Sequence, residues 1–87
     1  MSFISYVEYK DVMPDGLQFD NLLTKDLEFG CLFYRVYENR LLREEDDGSV
    51  IDIAYVGNLY VYNNDKEYRA YIMKFDESGN LQAVNVA

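Results

Sequence analysis

The fold of this chain is decided by two stretches of the same design. The first, CLFYRVYENRLLR, runs from Cys31 to Arg43, and the second, YRAYIMKFDESGNLQAV, runs from Tyr68 to Val84. In each, an apolar run rich in aromatic and β-branched residues precedes a polar turn and a second apolar run, a pattern typical of a β-hairpin. Asn39 and Gly79 fall in the two turns, where residues that tolerate a positive φ angle are favoured. We therefore predict two antiparallel hairpins.

Most of the remaining chain also has strand character. Residues 3–12, 50–62 and 81–86 are rich in strand-forming residues, and polar turns separate them. Short connections favour antiparallel neighbours, so we predict a mainly β fold of about six antiparallel strands in a meander, in a single domain over residues 1–87. Several strands carry apolar residues on both parities. We therefore expect a curled sheet, a small barrel or sandwich, or a sheet paired with a second copy.

Residues 17–28 are the exception, because two structures fit them. A short helix near residues 20–28 could begin at Asp20, with Leu23 and Leu27 one turn apart. An extended stretch fits equally well, since the segment sustains no helical period.

The composition limits the chemistry. Sixteen acidic and eight basic residues give a net charge of −8, which disfavours direct contact with nucleic acid or an anionic membrane and favours a basic protein partner. The chain has no histidine, so the commonest general base and metal ligand is missing, and Cys31 has no imidazole to activate it. The five glycines are isolated, so none belongs to a phosphate-binding loop. We therefore expect no enzyme, no cofactor and no metal site.

Three features bear on cellular location. Cys31 is the only cysteine, so no internal disulfide can form, which favours a reducing compartment. The first residues, MSFISYVE, lack the basic segment and long apolar run of a signal peptide, and no apolar stretch approaches the ~18 residues of a membrane span. We expect a cytoplasmic protein.

Charged residues could carry chemistry in two ways. The adjacent acidic pairs are Glu44 with Glu45, Asp46 with Asp47, and Asp76 with Glu77. Hydrolysis needs two carboxylates held in a cleft, and calcium loops need an alternating spacing, so we expect these acids to be solvated. Arg35 and Arg69 lie within apolar alternation. We expect each to pair with a cross-strand carboxylate such as Glu67 or Glu38, the alternative being an anionic ligand.

Several short motifs resemble a known pattern. Residues 23–28 (LTKDLE), 34–36 (YRV) and 39–42 (NRLL), then 57–62 (GNLYVY) and 79–81 (GNL), resemble small uncharacterised proteins common in phages and prophages. The resemblance covers residues 14–84. The chain departs from that pattern at Asn39, where the family prefers Gly, and at Asn80, where it prefers Arg. The resemblance implies a phage-type setting, hence the host cytoplasm, and no known activity.

Acidity, tyrosine content and this resemblance lead to one functional expectation. We expect a small acidic intracellular binding protein, encoded by a phage, that inhibits or modulates a host protein in defence or nucleic-acid handling. The residues expected to contact the partner are Glu44, Glu45, Asp46, Asp47, Asp76 and Glu77, with the aromatic anchors Tyr37, Tyr60 and Tyr62. The alternative is a self-associating structural or assembly protein of phage or prophage origin, such as a homodimer that covers a sheet face or edge. An enzyme or a small-ligand pocket in a curled sheet is a third alternative, and it lacks a nucleophile with a base.

Overall fold

The protein is all-β. A computed structural model describes residues 4–27, 33–63 and 68–87, and in these residues it contains strands and turns but no helix. Cys31 and Glu67, which the sequence analysis singled out, lie outside the described residues. The strands are β1 (Ser5–Glu8), β2 (Leu22–Thr24), β3 (Phe33–Tyr37), β4 (Arg40–Glu44), β5 (Val50–Asp52), β6 (Gly57–Asn63), β7 (Arg69–Phe75) and β8 (Leu81–Val86).

All eight strands form one sheet in the order β5-β4-β3-β1-β2-β6-β7-β8. Neighbours are antiparallel except β1 and β3, which are parallel. The prediction of about six antiparallel strands in a meander was therefore wrong in strand number and topology. Both β2 and β3 pair with β1, one on each side, so β1 lies inside the sheet. The sheet is neither closed nor strongly curled, so the expected barrel or sandwich is also wrong.

Of the two alternatives for residues 17–28, the extended one is correct at β2 (Leu22–Thr24), and the alternative helix near residues 20–28 is absent from the described residues. Leu22 and Thr24 are both completely buried, which is the two-residue period of a strand. The Thr24 hydroxyl donates a hydrogen bond to the carbonyl oxygen of Tyr60 at 2.7 Å. Pairing of β2 with β1 and β6 thus outweighs the helical spacing of Leu23 and Leu27, because strand preference depends mainly on neighbouring strands.

One face of the sheet, here called the inner face, carries the core. Its buried side chains are Val7, Leu22, Tyr34, Leu41, Leu59, Val61, Tyr71, Met73 and Phe75. Connecting segments cover this face with buried Met13 and Leu27 and with partly buried Phe19, Ile53 and Tyr55. Because loops cover the inner face, a single open sheet can bury a core without a second sheet.

The two hairpins recognised in the sequence meet through their turns. Glu38 and Asn39 have φ angles of 50° and 65°, as a tight hairpin turn requires. The Leu81 backbone N–H donates to the Asn39 carbonyl oxygen at 2.7 Å, and the Arg40 guanidinium donates to the Ser78 carbonyl oxygen. The β3–β4 hairpin therefore contacts the β7–β8 turn, although β3 and β7 are not neighbours in the sheet.

Arg40 holds this contact together. Its Nε lies 2.7 Å from Asp52 Oδ2, and its Nη1 donates to Asn80 Oδ1 at 3.2 Å. The hydrogen bond from Arg40 is the main cause of a lowered pKa at Asp52. Gly79 packs on the same guanidinium at φ +85°, where an added Cβ would lie 3.1 Å from Arg40 Nη2. The turn that joins β7 to β8 consequently needs glycine for both its backbone angle and its space.

Candidate functional site

The acidic turn between β4 and β5 is held by its own hydrogen bonds and ion pairs. Glu44 pairs with Arg35 at 3.2 Å, and Glu45 pairs with Arg43 at 2.8 Å. Asp47 Oδ1 accepts from the Ser49 hydroxyl at 2.6 Å and the Ser49 N–H at 2.9 Å. The hydroxyl, followed by the N–H, lowers the pKa of Asp47.

Two consequences follow for the sequence predictions. Arg35 has the expected cross-strand carboxylate partner, but that partner is Glu44 on β4 and not Glu38. Among the described residues, Asp46 has no hydrogen bond or ion pair and is exposed. Asp46 is therefore the carboxylate of this turn that remains open to a partner.

The second acidic segment is a turn cap. Asp76 Oδ1 accepts from the backbone N–H groups of Ser78 and Asn80, each at 2.9 Å. The Asn80 N–H is the main cause of the lowered pKa of Asp76. Glu77 beside it is exposed and pairs with none of the described residues.

The structure keeps the two acidic segments apart. The turn that contains Asp76 touches Arg40 through Ser78, whereas Glu44 lies at the other end of the five-residue strand β4. At about 3.3 Å per residue, Arg40 and Glu44 are roughly 13 Å apart along the strand. The six acids selected from the sequence thus form two separate turns and not one patch.

The three selected tyrosines also divide. Tyr37 is 61% exposed at the end of β3, opposite Arg40 in the hairpin register. It borders a concave region of about 360 Å³ whose charged lining is mixed: Glu8, Lys10, Asp11, Arg35 and Glu38. Tyr60 and Tyr62 lie together on β6, on the face of the sheet opposite the inner face, here called the outer face. Tyr37 lies on the same outer face, but β1 and β2 separate its strand β3 from β6.

A third tyrosine, which directly precedes β7, joins the two on β6. Tyr68 stacks on Tyr62 with ring centroids 5.9 Å apart, and its hydroxyl lies 2.6 Å from that of Tyr60. The hydrogen bond with Tyr60 is the main cause of a raised pKa at Tyr68. We call Tyr60, Tyr62 and Tyr68 the tyrosine triad.

Sequence reasoning missed Tyr68, because its place beside Tyr62 depends on the strand register. In the β6–β7 register Tyr62 lies opposite Ala70. Tyr68 is two residues before Ala70 and is therefore a diagonal neighbour of Tyr62 on the same face.

The triad lines a concave region of about 540 Å³ together with Ile4, Lys25 and Asp26. Asp26 Oδ2 accepts from the backbone N–H of Tyr60 at 2.9 Å, which ties residues 25–26 to β6. Among the described residues, Asp26 Oδ1 has no hydrogen-bond donor. Three ring faces, one ammonium group and one available carboxylate oxygen therefore surround this concavity.

An aromatic row extends from the triad across the sheet. Phe33 lies opposite Tyr6, Tyr6 opposite Leu23, and Leu23 opposite Tyr62, so these side chains share the outer face of four neighbouring strands. Tyr6 and Phe33 stack with ring centroids 5.2 Å apart. We call the outer aromatic row the set Phe33, Tyr6, Leu23, Tyr62, Tyr60 and Tyr68.

The exposed area of the outer aromatic row is comparable to that of functional surface patches. Phe33 and Tyr68 are more than half exposed, and Tyr6 and Tyr60 are 39% and 38% exposed. With about 200 Å² per ring, these four side chains leave on the order of 400 Å² in water. Apolar patches of this size on small monomers are often functional.

Other classes of site find no support in the part of the chain that the structure describes. These residues contain no group of three side chains suited to hold a metal ion. They also contain no helix of the length and hydropathy that a membrane crossing needs. No family model, curated protein or solved structure matches the chain.

Proposed function

We propose that this chain is a small acidic intracellular binding protein, encoded by a phage, that inhibits or modulates a basic host protein in defence or nucleic-acid handling. The observation that carries the proposal is the outer aromatic row on the open face of a sheet, in a chain of net charge −8. Tyrosine is enriched among residues that dominate binding energy, because it combines large apolar area with a polar tip and little conformational freedom.

The aromatic side chains explain attachment. A lysine or arginine of the partner that enters the 540 Å³ concavity meets the faces of the tyrosine triad and the available oxygen of Asp26. A cation over a tyrosine ring is attracted by the ring quadrupole, and the carboxylate adds a charge-assisted hydrogen bond. The rings and the carboxylate thus favour a cationic side chain, and the Lys25 ammonium on the same lining would have to turn toward solvent to admit it.

The net charge explains approach. A chain of −8 attracts a basic surface over distances comparable to the Debye length, about 10 Å at 0.1 M salt. Asp46 and Glu77 lack partners among the described residues, so they can contribute without breaking an internal ion pair. Glu44 and Glu45 would first have to leave Arg35 and Arg43.

The size of the row sets its role in such a complex. A standard protein–protein interface buries about 800 Å² on each partner. The exposed rings supply on the order of half of that area, which corresponds to the apolar centre of an interface. Polar and acidic surroundings would then form the rim.

Affinity capture tests this function. Tagged protein is incubated with bacterial lysate at low salt, and the retained protein is identified, purified and titrated by calorimetry. We expect one basic protein that high salt releases. Tyr60→Ala and Tyr68→Ala should each weaken its affinity by about 30-fold, the effect of a residue that contributes 2 kcal/mol.

The control is Val56→Ala, which shortens another exposed apolar side chain that lies outside the row. Its affinity should equal that of the wild type. Retention of no basic protein, or equal affinities for the wild type and the two tyrosine variants, would overturn the proposal. Tyr37→Ala in the same series shows whether the third anchor named from the sequence takes part.

A further inference from the structure

The two edges of the sheet differ in protection. The edge strand β5 has three residues, includes Asp52 and follows the acidic turn at residues 44–47. The edge strand β8 has six residues, and the segment LQAVNVA at residues 81–87 has neither a charged side chain nor proline. Short length and charge are the usual protections of an edge. The start of β8 is covered, because the Leu81 N–H is bonded to the Asn39 carbonyl oxygen, so the remainder of β8 is the unprotected edge.

The direction of the backbone groups on β8 follows from one hydrogen bond. The Ala87 N–H donates to the Ala70 carbonyl oxygen at 3.0 Å. Hydrogen-bonded pairs alternate along an antiparallel ladder, so Ile72 and Asn85 form the next bonded pair. The N–H and C=O groups of Val84 and Val86 therefore point away from β7, along the outer edge of the sheet.

We propose that β8 pairs with β8 of a second copy in an antiparallel arrangement, about a twofold axis at Asn85. In this register Val84 of each copy lies opposite Val86 of the other. Both residues present their backbone groups outward, so the two copies form four backbone hydrogen bonds. The two eight-stranded sheets become continuous across the dimer.

The chemistry of β8 fits a second copy of itself. Val84 lies on the inner face opposite Met73, and Val86 lies on the same face opposite Tyr71. Pairing covers Val86, which is 56% exposed, against Val84 of the other copy. Like charges directly opposite each other destabilise paired strands, and residues 81–87 contain no charged side chain to oppose.

Asn85 supports the same register from the other face. It lies opposite Ile72, so its side chain belongs to the outer face. The twofold axis places the two Asn85 side chains next to each other. An amide is both donor and acceptor, and two copies of it can satisfy each other.

The net charge predicts the salt dependence of this dimer. Two chains of −8 repel each other, and salt screens that repulsion, so association should tighten as salt is added. Capture of a basic partner should weaken under the same change. The sign of the salt effect therefore separates edge pairing from the interaction proposed for the outer aromatic row.

Sedimentation equilibrium of the full chain tests the proposal, from low-micromolar to millimolar concentration at low and high salt. We expect the mass to rise from 10.2 kDa to twice that value, at lower concentration in high salt. Val86→Pro removes an outward N–H that β7 does not use, so it should weaken the dimer at least about tenfold. The matched control Val86→Ala keeps the N–H and should weaken it by less.

Amide hydrogen exchange of the wild type tests the same proposal even if the Val86→Pro variant fails to fold. In the wild type, the Val84 and Val86 amide hydrogens should exchange more slowly as protein concentration rises. A monomer at every concentration overturns the proposal. So does a dimer that weakens with salt, or one that Tyr60→Ala abolishes and Val86→Pro leaves unchanged.

Discussion

The two faces of β6 differ in burial, with aliphatic residues on the inner face and tyrosines on the outer face. Leu59 and Val61 on the inner face are completely buried, whereas Tyr60 between them is 38% exposed and Tyr62 is half-buried. Segments before β2 and before β6 cover the inner face with Met13 and Tyr55. Apolar residues on both parities therefore indicate that both faces of a strand can be covered. In the described residues, other segments of the chain cover the inner face of β6 and leave the outer face open.

The largest expected effect is on the covered face. Leu59→Ala leaves a cavity in a fully buried site and should lower the free energy of unfolding by about 2–5 kcal/mol. Tyr60→Ala removes the ring contact with Tyr62 on the same strand and the hydroxyl contact with Tyr68, and it should cost about 1 kcal/mol. Urea unfolding of both variants measures the contrast. Equal losses would mean that the outer face is as well packed as the inner one.

Two glycines differ in the same way, since Gly79 is packed against other residues and Gly48 is open to solvent. Gly79 and Gly48 have nearly the same φ, +85° and +88°, but only Gly79 has neighbours within 4 Å of an added Cβ. Gly48→Ala should cost about 1 kcal/mol for the left-handed backbone alone. Gly79→Ala should cost about 2–3 kcal/mol, because the Cβ also meets Arg40 and Ala54. Thermal unfolding of the two variants measures the difference. Equal losses of stability would show that the Arg40 side chain moves away from the added Cβ at no cost.

A buried tyrosine on the inner face should respond to pH. Burial of Tyr71, followed by its hydrogen bond to Asp15 at 2.9 Å, raises the pKa of its hydroxyl to about 12. A pKa raised above the usual 10 means that the folded state favours the neutral hydroxyl. The stability it contributes is therefore complete below pH 10 and is lost as pH rises toward 12.

Tyr71→Phe isolates this contribution. It removes the hydrogen bond to Asp15 and should cost about 1–2 kcal/mol at neutral pH. Above pH 10 the difference between variant and wild type should shrink, because the wild type alone loses this interaction. Urea midpoints measured from pH 8 to beyond pH 10 check the result, and a constant difference would contradict it.

The smallest expected effect on stability is at the tyrosine triad. Tyr60→Phe removes the exposed hydrogen bond to the Tyr68 hydroxyl and should change the free energy of unfolding by less than about 0.5 kcal/mol. The ring faces remain, so binding of a cationic partner should persist. A loss of binding without a loss of stability would show that the hydroxyl pair, and not the ring faces, contacts the partner.

Local features of the fold could be predicted from the sequence. The hairpin turn at Glu38 and Asn39 and the turn closed by Gly79 were predicted from residue types alone, and both have the expected positive φ angles. Such turns involve a few adjacent residues, so backbone sterics determine them. The sequence left residues 17–28 open between a short helix and an extended stretch, since the pairing partners of the strand at Leu22–Thr24, β1 and β6, are remote in the chain.

The candidate site divides in the same way. Tyr60 and Tyr62 alternate along one strand, and the sequence shows that directly. Their junction with Tyr68 and the stack of Tyr6 on Phe33 join different strands, so only the sheet register reveals them. Likewise, the choice of Glu44 as the partner of Arg35 depends on the β3–β4 register, so the sequence alone did not identify that carboxylate.

The sequence by itself determined that the protein is built of strands and tight turns and carries a strong negative charge, because β-propensity, turn chemistry and charge are properties of short segments. Only the tertiary structure decided the strand order, with β1 parallel to β3 in the interior and β8 open at one edge. It also decided which acids pair internally and which rings form the outer aromatic row. These outcomes depend on contacts between residues far apart in the chain, where the balance of burial and pairing outweighs local preference.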